Sequence, residues 1–528
     1  DGRILYPRAS ALGGCTAHNA MIFMAAHDSD WEGLARLTGD PSWSARAMHR
    51  WVRLVEDCRH RPIWRFLRHV GIDPTQHGWN GWLRTERFDP QEAISDHWLV
   101  WSMTASALRA LHGIPGWLAM LLRLAVGKGD PNDVRTDGKE GVWYTPLSTM
   151  GHRRVGTRER LLEVAGRHPK RLTVELGALA TRVLFDGDRA IGVEYLKGRH
   201  LYKVSKTSAT EPGERRRILA RREVIVCGGA FNSPQLLMLS GIGPRAELEK
   251  LGITVKVDLP GVGHNLQDRY EVGVIHKMKK PWASLKGARF EKCDRLYRKW
   301  ARGGHGLYGS NGAALAVTRK SRQSTGDPDL FMMGMVVPFK GYYEGYSDDL
   351  YAEHDRLTWC VLKGHTRNRT GTVRLRSADP LDPPQIDFNY FGEGGDADLD
   401  ALVQAVGIAR DIARPLCDGG AVEELPGSNV QGAALKQWIR DNAWGHHASC
   451  SCAIGPREAG GVLDGNFRVH GVEGLRVVDA SVFPRIPGFF IVSAIYMIAE
   501  KAASVILADA AAAAASQRPL RVRERAEP

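Results

Sequence analysis

The sequence predicts an α/β protein with at least two packed units, on three observations. Residues 222–244 read as a strand, a glycine turn and a helix, the unit from which parallel sheets are assembled. Residues 313–318, 330–337, 356–364 and 372–376 run apolar or alternate with β-branched content, as antiparallel strands do. The chain has 528 residues, enough for two or more units with a sizeable core.

In the first of these stretches, Val224-Ile225-Val226-Cys227 has the length and branching of a buried strand. Gly228-Gly229-Ala230 end it with residues small enough for a second backbone, or a ligand, to come close. Asn232 and Ser233 are suited to cap the helix, and Pro234 suits its first turn, where a missing N–H costs nothing. Leu236, Leu237 and Leu239 supply its apolar side, and Gly241-Ile242-Gly243-Pro244 stop it. By itself such a unit is either an ordinary structural element or one whose helix N-terminus receives a cofactor.

Along the rest of the chain, helices are expected over 45–58, with Met48, Trp51, Val52 and Val55 on one side, and over 96–111, 157–165 and 491–507. Residues 78–82 (GWNGW) form an aromatic turn, and 127–141 a polar surface loop. Residues 172–175, 181–185 and 190–196 are strand candidates, and the basic stretch 199–222 reads as an insertion or flap. Residues 117–126 (WLAMLLRLAV) fit a buried helix or an interfacial one. Residues 339–346, aromatic and glycine-rich, fit a rigid turn or a lid. Residues 304–309 have G-x-G-x-x-G spacing, but the polar, basic residues before them cannot form the buried strand that a dinucleotide site needs. Residues 508–528, alanine-rich and then arginine-rich through Arg518, Arg521, Arg523 and Arg525, have little to bury.

Composition narrows the partners. The formal charge of +13 is spread along the chain without an aromatic-interleaved basic cluster, so no nucleic-acid partner is expected, while attraction to an anionic membrane surface stays open. No uninterrupted apolar run has membrane-spanning length. Eight widely separated cysteines argue for reduced thiols, and Cys450 with Cys452 makes a poor zinc site, so no metal is expected. The first residue is Asp1, no secretory signal is visible, and the strand-like opening GRILYP leads straight into a glycine turn. The expectation is a cytoplasmic protein, either free or held on the inner membrane surface, whose chain here lacks an N-terminal segment.

Residues 229–244, GAFNSPQLLMLSGIGP, resemble at nearly every position the second signature of the glucose–methanol–choline flavoprotein oxidoreductases. The opening residues resemble its first signature, with Gly13, Gly14, Cys15, Thr16 and Asn19 on the matching positions, and DSDW at 28–31 closes that segment. Residues 260–268 resemble the family's turn between its two domains, with Arg269 where a histidine is usual. Asp479-Ala480-Ser481 resembles its flavin-contacting turn, and 499–503 its closing helix. The resemblance implies FAD as cofactor and a discontinuous Rossmann-like FAD domain over 1–30, 143–270 and 455–510. It implies an α+β substrate domain on an antiparallel sheet over 31–142 and 271–454, with 511–528 a flexible tail. It also implies that Gly13, Gly14, Cys15, Asn19, Gly229, Asp479, Ala480 and Phe490 face the cofactor. His18 is either joined covalently to the flavin or an ordinary loop histidine. Val183 lies on a hairpin whose backbone approaches the adenine in the family, although a plain structural hairpin fits the same residues. The family's G-x-G-x-x-G lies upstream of its first signature, which accords with the expected missing segment.

Residues 444–455 resemble the family's catalytic stretch, and counting back from Cys452 and Gly455 puts its histidine at His447. A hydride cannot readily leave an alcohol carbon while the oxygen keeps its proton, and an imidazole titrates near neutrality and can take that proton. A structural histidine is the competing reading, and His446 the neighbour most easily confused with it. If the stretch is extended, the two side chains point to opposite sides. The family's second partner, a His or Asn six residues after the Pro of this turn, is replaced by Phe490, which can neither donate nor accept. The expected activity is FAD-dependent oxidation of a small-molecule alcohol, with oxygen or a quinone-like carrier as electron acceptor. Phe490 keeps a non-redox lyase or decarboxylase open, and the absent fingerprint keeps an inactive fragment open.

Overall fold

The structure, a computed structural model, describes residues 4–88, 94–112, 114, 116–125, 129–204, 207 and 211–516. Asp1 to Arg3 of the first motif and the arginines at 518, 521, 523 and 525 lie outside the described residues.

One core is laid on a six-stranded antiparallel sheet. Its strand order is Val422–Leu425, Tyr270–Lys277, Arg356–Lys363, Leu330–Met335, Ala313–Arg319 and Gly141–Trp143. The register puts Val274 opposite Trp359 and Met333 opposite Cys360. Arg356–Lys363 and Leu330–Met335 are buried throughout. That accounts for their near-continuous apolar reading, since a strand covered on both faces has no solvent side to alternate with. The helix Gly395–Asp418 presents Leu399, Leu402, Val406, Ala409, Ile412 and Leu416 to this core at three- and four-residue spacing. Thr372–Arg374 does not join the sheet as expected but pairs with Gln385–Asp387 in a separate two-stranded ribbon.

A second core draws its side chains from three distant stretches, around residues 26–51, 183–262 and 450–502. At its centre Leu475–Val477 pairs in parallel with Val224–Val226. Beside it, Ala178–Asp186, Arg189–Lys197 and Glu214–Leu219 form a three-stranded antiparallel sheet. The stretch 199–222 therefore contributes a strand rather than only a flap. Residues 172–175 are irregular and make no strand, because the sheet begins at Ala178. The helix expected over 45–58 ends at Val55, and Glu56–Cys58 continue as a strand parallel to Leu83–Glu86. Ile491–Ser516 is long and apolar enough to cross a membrane. Its Ala494, Met497, Ile498 and Ala502 are instead core residues of this second unit.

The helix of the opening motif starts earlier than its capping residues suggested. It runs Gly229–Leu239, with Gly228 at the N-cap and Pro234 inside it. Ser233 still acts locally, because its hydroxyl takes the Gly228 N–H at 2.9 Å. Pro234 has no N–H to give the Ala230 carbonyl four residues back, and the Ser451 hydroxyl donates to that carbonyl instead, at 2.5 Å. A defect internal to the helix is thus closed by the stretch that carries the histidines. Residues 304–309 follow the helix Arg295–Gly303 and form a 3₁₀ turn, not a strand leading into a helix. Helix Trp117–Ala125 sets Leu124 in the core and leaves Trp117, Leu118 and Leu122 exposed.

Candidate active site

Asp268 anchors the site. Its buried carboxylate accepts the hydroxyls of Tyr6 (2.8 Å) and Tyr390 (2.7 Å) on one oxygen. The other oxygen accepts the main-chain N–H of Arg269 and His447, both at 2.8 Å. Tyr6 in turn accepts the Ala448 N–H at 2.8 Å. Burial raises Asp268 above its usual range, and the four donors offset that. Ser449 exchanges main-chain bonds with Gln267, while Cys450 and Cys452 donate to the carbonyls of Ala480 and Ser481. The histidine stretch is therefore stitched to the segment leading into the strand Tyr270–Lys277 on one side and to the Asp479 turn on the other.

The stitching leaves the stretch irregular, and the two histidines do not diverge as an extended strand would require. Their rings lie 4.1 Å apart, and both Nδ1 atoms turn toward one oxygen of Glu271, at 3.5 Å for His446 and 3.7 Å for His447. The expectation of opposite sides is corrected on this point, because alternation belongs to regular strands, and this stretch forms isolated bridges at Trp444 and Ser449 rather than a strand. Both Nδ1 atoms and Glu271 Oε1 are buried and have no hydrogen-bond partner among the described residues. Burial pushes Glu271 up to about 8, with Asp268 adding to the rise and Arg269 opposing it. Burial likewise lowers His446 to about 3, and lowers His447 well below its ordinary value, where the neighbouring His446 adds to the fall. At neutral pH the cluster consists of two neutral imidazoles and a carboxylic acid. In such a set a neutral imidazole is the group with a lone pair free to receive a proton from a substrate.

Phe490 lies edge-on to His447 with centroids 5.7 Å apart, and also packs on Phe331. Tyr342, in the 339–346 turn, packs edge-on to His446. These rings give the cluster an apolar wall.

Arg8 joins the first motif to this cluster. Its guanidinium donates to the His446 carbonyl (3.2 Å) and lies 3.6 Å from Cys15 Sγ. Burial raises the Cys15 thiol, but His18 and Arg8 outweigh it and bring it down to about 6. Asn19 is held by Arg154 at 2.6 Å. Gly13 and Gly14 have left-handed backbones, with φ of 95° and 54°, and a Cβ on Gly14 would meet no atom within 4 Å. Gly229 has φ 80° and equally open space, and its N–H goes to Asp479, which Ser233 also meets. The buried Ser481 hydroxyl beside Asp479 and Ala480 has no partner among the described residues. Small residues with open space before them, a left-handed glycine turn and an orphaned hydroxyl fit the ring end of a flavin. Val183 belongs to a different part of the second core. Its N–H is given to the Ser240 hydroxyl at 2.9 Å.

Sequence reasoning missed Glu271, Arg8, Tyr6 and Tyr390. One signal was available: Glu271 is an acidic residue at the apolar end of the strand 270–277, and full burial of a carboxyl is rare.

Comparison with known proteins bears on this geometry. Two family models described as GMC oxidoreductase match residues 1–271 and 367–499. The first match begins at residue 1 and lends no support to the expected missing segment. An oxygen-dependent choline dehydrogenase of Yersinia pseudotuberculosis is 32% identical over 508 residues, covering 94% of this chain and 80% of that protein. One from Burkholderia vietnamiensis is 31% identical, with 94% and 79% covered. Among solved structures, pyridoxine 4-oxidase from Mesorbium loti has a TM-score of 0.70 at 23% identity, covering 94% of this chain and 84% of that one. A formate oxidase variant from Aspergillus oryzae reaches 0.77 at 20% identity, with 95% and 84% covered. At these identities the structures speak for the fold alone: a mixed α/β architecture with an FAD-binding part and a sheet-based substrate part.

Proposed function

This chain belongs to the GMC oxidoreductase family, and from that premise we propose how its own residues oxidise an alcohol. It is an FAD-dependent oxidoreductase acting on CH–OH donors, and the non-redox and inactive readings are not favoured by its relatives.

We infer that His447 is the base. Asp268 fixes its main chain, and its Nδ1 is turned toward Glu271 at 3.7 Å, which leaves Nε2 for the substrate hydroxyl. Where Phe490 offers no polar group, Glu271 is the one that faces both imidazoles. The hydroxyl proton passes to His447 as the carbinol C–H bond breaks and the C–O bond becomes a carbonyl. The chemistry FAD supplies when bound is acceptance of the hydride. Phe490, Phe331 and Tyr342 exclude water and suit a substrate with an apolar or aromatic body next to its carbinol carbon.

Gly13, Gly14, Cys15, His18, Asn19, Gly229, Asp479 and Ala480 are assigned to the ring end of FAD, and Val183 to its adenine end. We assign the second core to the FAD domain and the six-stranded sheet to the substrate domain. Oxygen is the acceptor we favour, in keeping with the name of the choline relatives. Trp117, Leu118 and Leu122 offer an apolar face for peripheral membrane contact.

The observation that carries this reading is the buried trio of orphaned atoms on Glu271, His446 and His447. Anaerobic stopped-flow reduction of FAD-loaded protein by choline and by benzyl alcohol tests it. His447→Ala is expected to slow reduction by about 10²–10⁴-fold, the worth of a positioned proton acceptor, with FAD still bound. No reduction of the wild type by any primary or secondary alcohol, or an unchanged rate in His447→Ala, overturns it.

A further inference from the structure

Away from the active site, five ionisable or metal-ligating side chains meet inside the protein. Glu56, Cys58 and His60 alternate along one extended stretch and so share a face. His77 and Asp130 come to them from two other segments, and all five are buried. Glu56, Cys58 and His60 each bring one ligand atom within 4.8 Å of the others.

Ordinary hydrogen bonding accounts for part of this cluster. His77 meets Glu56 at 2.9 Å and Asp130 at 3.1 Å, and Glu56 also accepts from Thr85 (2.8 Å) and from the Gly78 N–H (3.0 Å). His60 is held less firmly: its Nδ1 and Nε2 lie 3.5 and 3.7 Å from Cys58 Sγ. The next polar atom is an Asp130 oxygen at 3.5 Å from Nε2, beyond a normal bond. A buried imidazole, a buried thiol and a buried carboxylate thus stand close together away from the active site.

We propose that Glu56, Cys58 and His60 bind a divalent zinc-class ion, with Asp130 the nearest group for a fourth bond. Bonds of about 2.3 Å to sulfur and about 2.1 Å to nitrogen place tetrahedral ligands about 3.6 Å apart, the spacing seen between Cys58 and His60. Thiolate, imidazole and carboxylate together suit zinc better than magnesium or calcium, which take oxygen ligands. Binding forms a metal–sulfur bond and releases the Cys58 thiol proton to solvent, and a turn of the His60 ring brings one nitrogen to bear. His77 then stands behind the ligands, holding the Glu56 and Asp130 oxygens as outer hydrogen-bond partners hold metal ligands elsewhere. The ion would tie the strand Glu56–Cys58 to the segment around Asp130, and so brace helix Ala45–Val55 where it enters the sheet.

The test uses the whole protein and cobalt(II) as probe, after dialysis against a chelator. Wild type should take up one cobalt per chain, with a sulfur-to-cobalt charge-transfer band in the near ultraviolet, intense visible bands and a rise in thermal midpoint. Cys360→Ser controls for the thiol near Glu271 and should keep the band, whereas Cys58→Ser should lose it. His60→Gln should weaken uptake at least 10-fold, consistent with the loss of one of three ligands. Absence of both uptake and thermal shift in wild type overturns the proposal without recourse to any variant. A band that survives Cys58→Ser, or disappears with Cys360→Ser, places the ion elsewhere and overturns it equally.

Discussion

Replacing Glu271 by Gln tests the electrostatics of the site without touching its shape. Glu271 is 1% exposed, and burial moves its carboxyl from an ordinary 4.5 up to about 8. Below pH 4.5 the folded and unfolded chains both hold the proton. Between 4.5 and about 8 the unfolded chain loses it while the folded one keeps it, so this group's contribution to stability falls as pH rises. Above about 8 the folded protein must carry the buried charge, and the loss is complete. At about 1.4 kcal/mol per pH unit, the interval amounts to about 5 kcal/mol, and relaxation of the interior reduces this to roughly 3–5 kcal/mol. Gln has no proton to lose. Wild type and Glu271→Gln should therefore unfold at similar urea concentrations at pH 5, and the variant should be the more resistant at pH 9. Comparing the two proteins at each pH cancels every other titrating group. An equal gap at both pH values, or a wild type that gains on the variant at pH 9, refutes the argument from burial.

Ser451→Ala should cost about 1–3 kcal/mol, because it leaves the Ala230 carbonyl without a donor, and Pro234→Ala on the same background should recover much of it by restoring the helix's own N–H. A double-mutant cycle in urea reads the coupling, and strict additivity would show that the two residues do not share that carbonyl. Gly445→Ala would place a Cβ 2.2 Å from Asp268 Oδ2 and 2.5 Å from the Tyr390 hydroxyl, so it should disturb the four-donor carboxylate. The expected outcome is a loss of about 1–3 kcal/mol with a drop in the rate of flavin reduction, checked by unfolding and stopped flow, and an unaltered variant would argue against a rigid anchor.

The parts legible in the sequence were those governed by local rules. The strand–turn–helix at 222–244, three of the six sheet strands and the helices near 97–111 and from 491 announce themselves through periodicity and turn residues, whereas helix Gly395–Asp418 was not anticipated. What escaped depended on partners far away in the chain. Nothing local shows that Pro234 can sit inside a helix, since the compensating hydroxyl comes from Ser451. Thr372–Arg374 has the composition of a sheet strand, and only its pairing with 385–387 excludes it. In the site, His447 was within reach because a motif fixes its register. The convergence of His446 on the same carboxyl was not, because alternation was assumed where the main chain is held irregular by Asp268 and the Asp479 turn. Cys58 was missed because a helix was expected over 45–58, and in a helix residues two apart, such as Glu56 and Cys58, do not share a face.

The second core has a consequence for how the chain is made. Its side chains come from around residues 26–51, 183–262 and 450–502, and its central strand pair joins Val224–Val226 to Leu475–Val477. During synthesis from the N-terminus, Trp31, Trp43 and Trp51 emerge early, yet the residues that cover them, among them Phe467, Met497 and Ile498, come hundreds of residues later. At roughly 5–20 residues per second that interval lasts about 20–90 seconds, during which this apolar surface has no native cover. A ribosome that stalls before residue 475 would hold a nascent chain able to lay down much of its six-stranded sheet while its tryptophans stay open to chaperones. Closure of the second core therefore waits on the synthesis of residues 450–502.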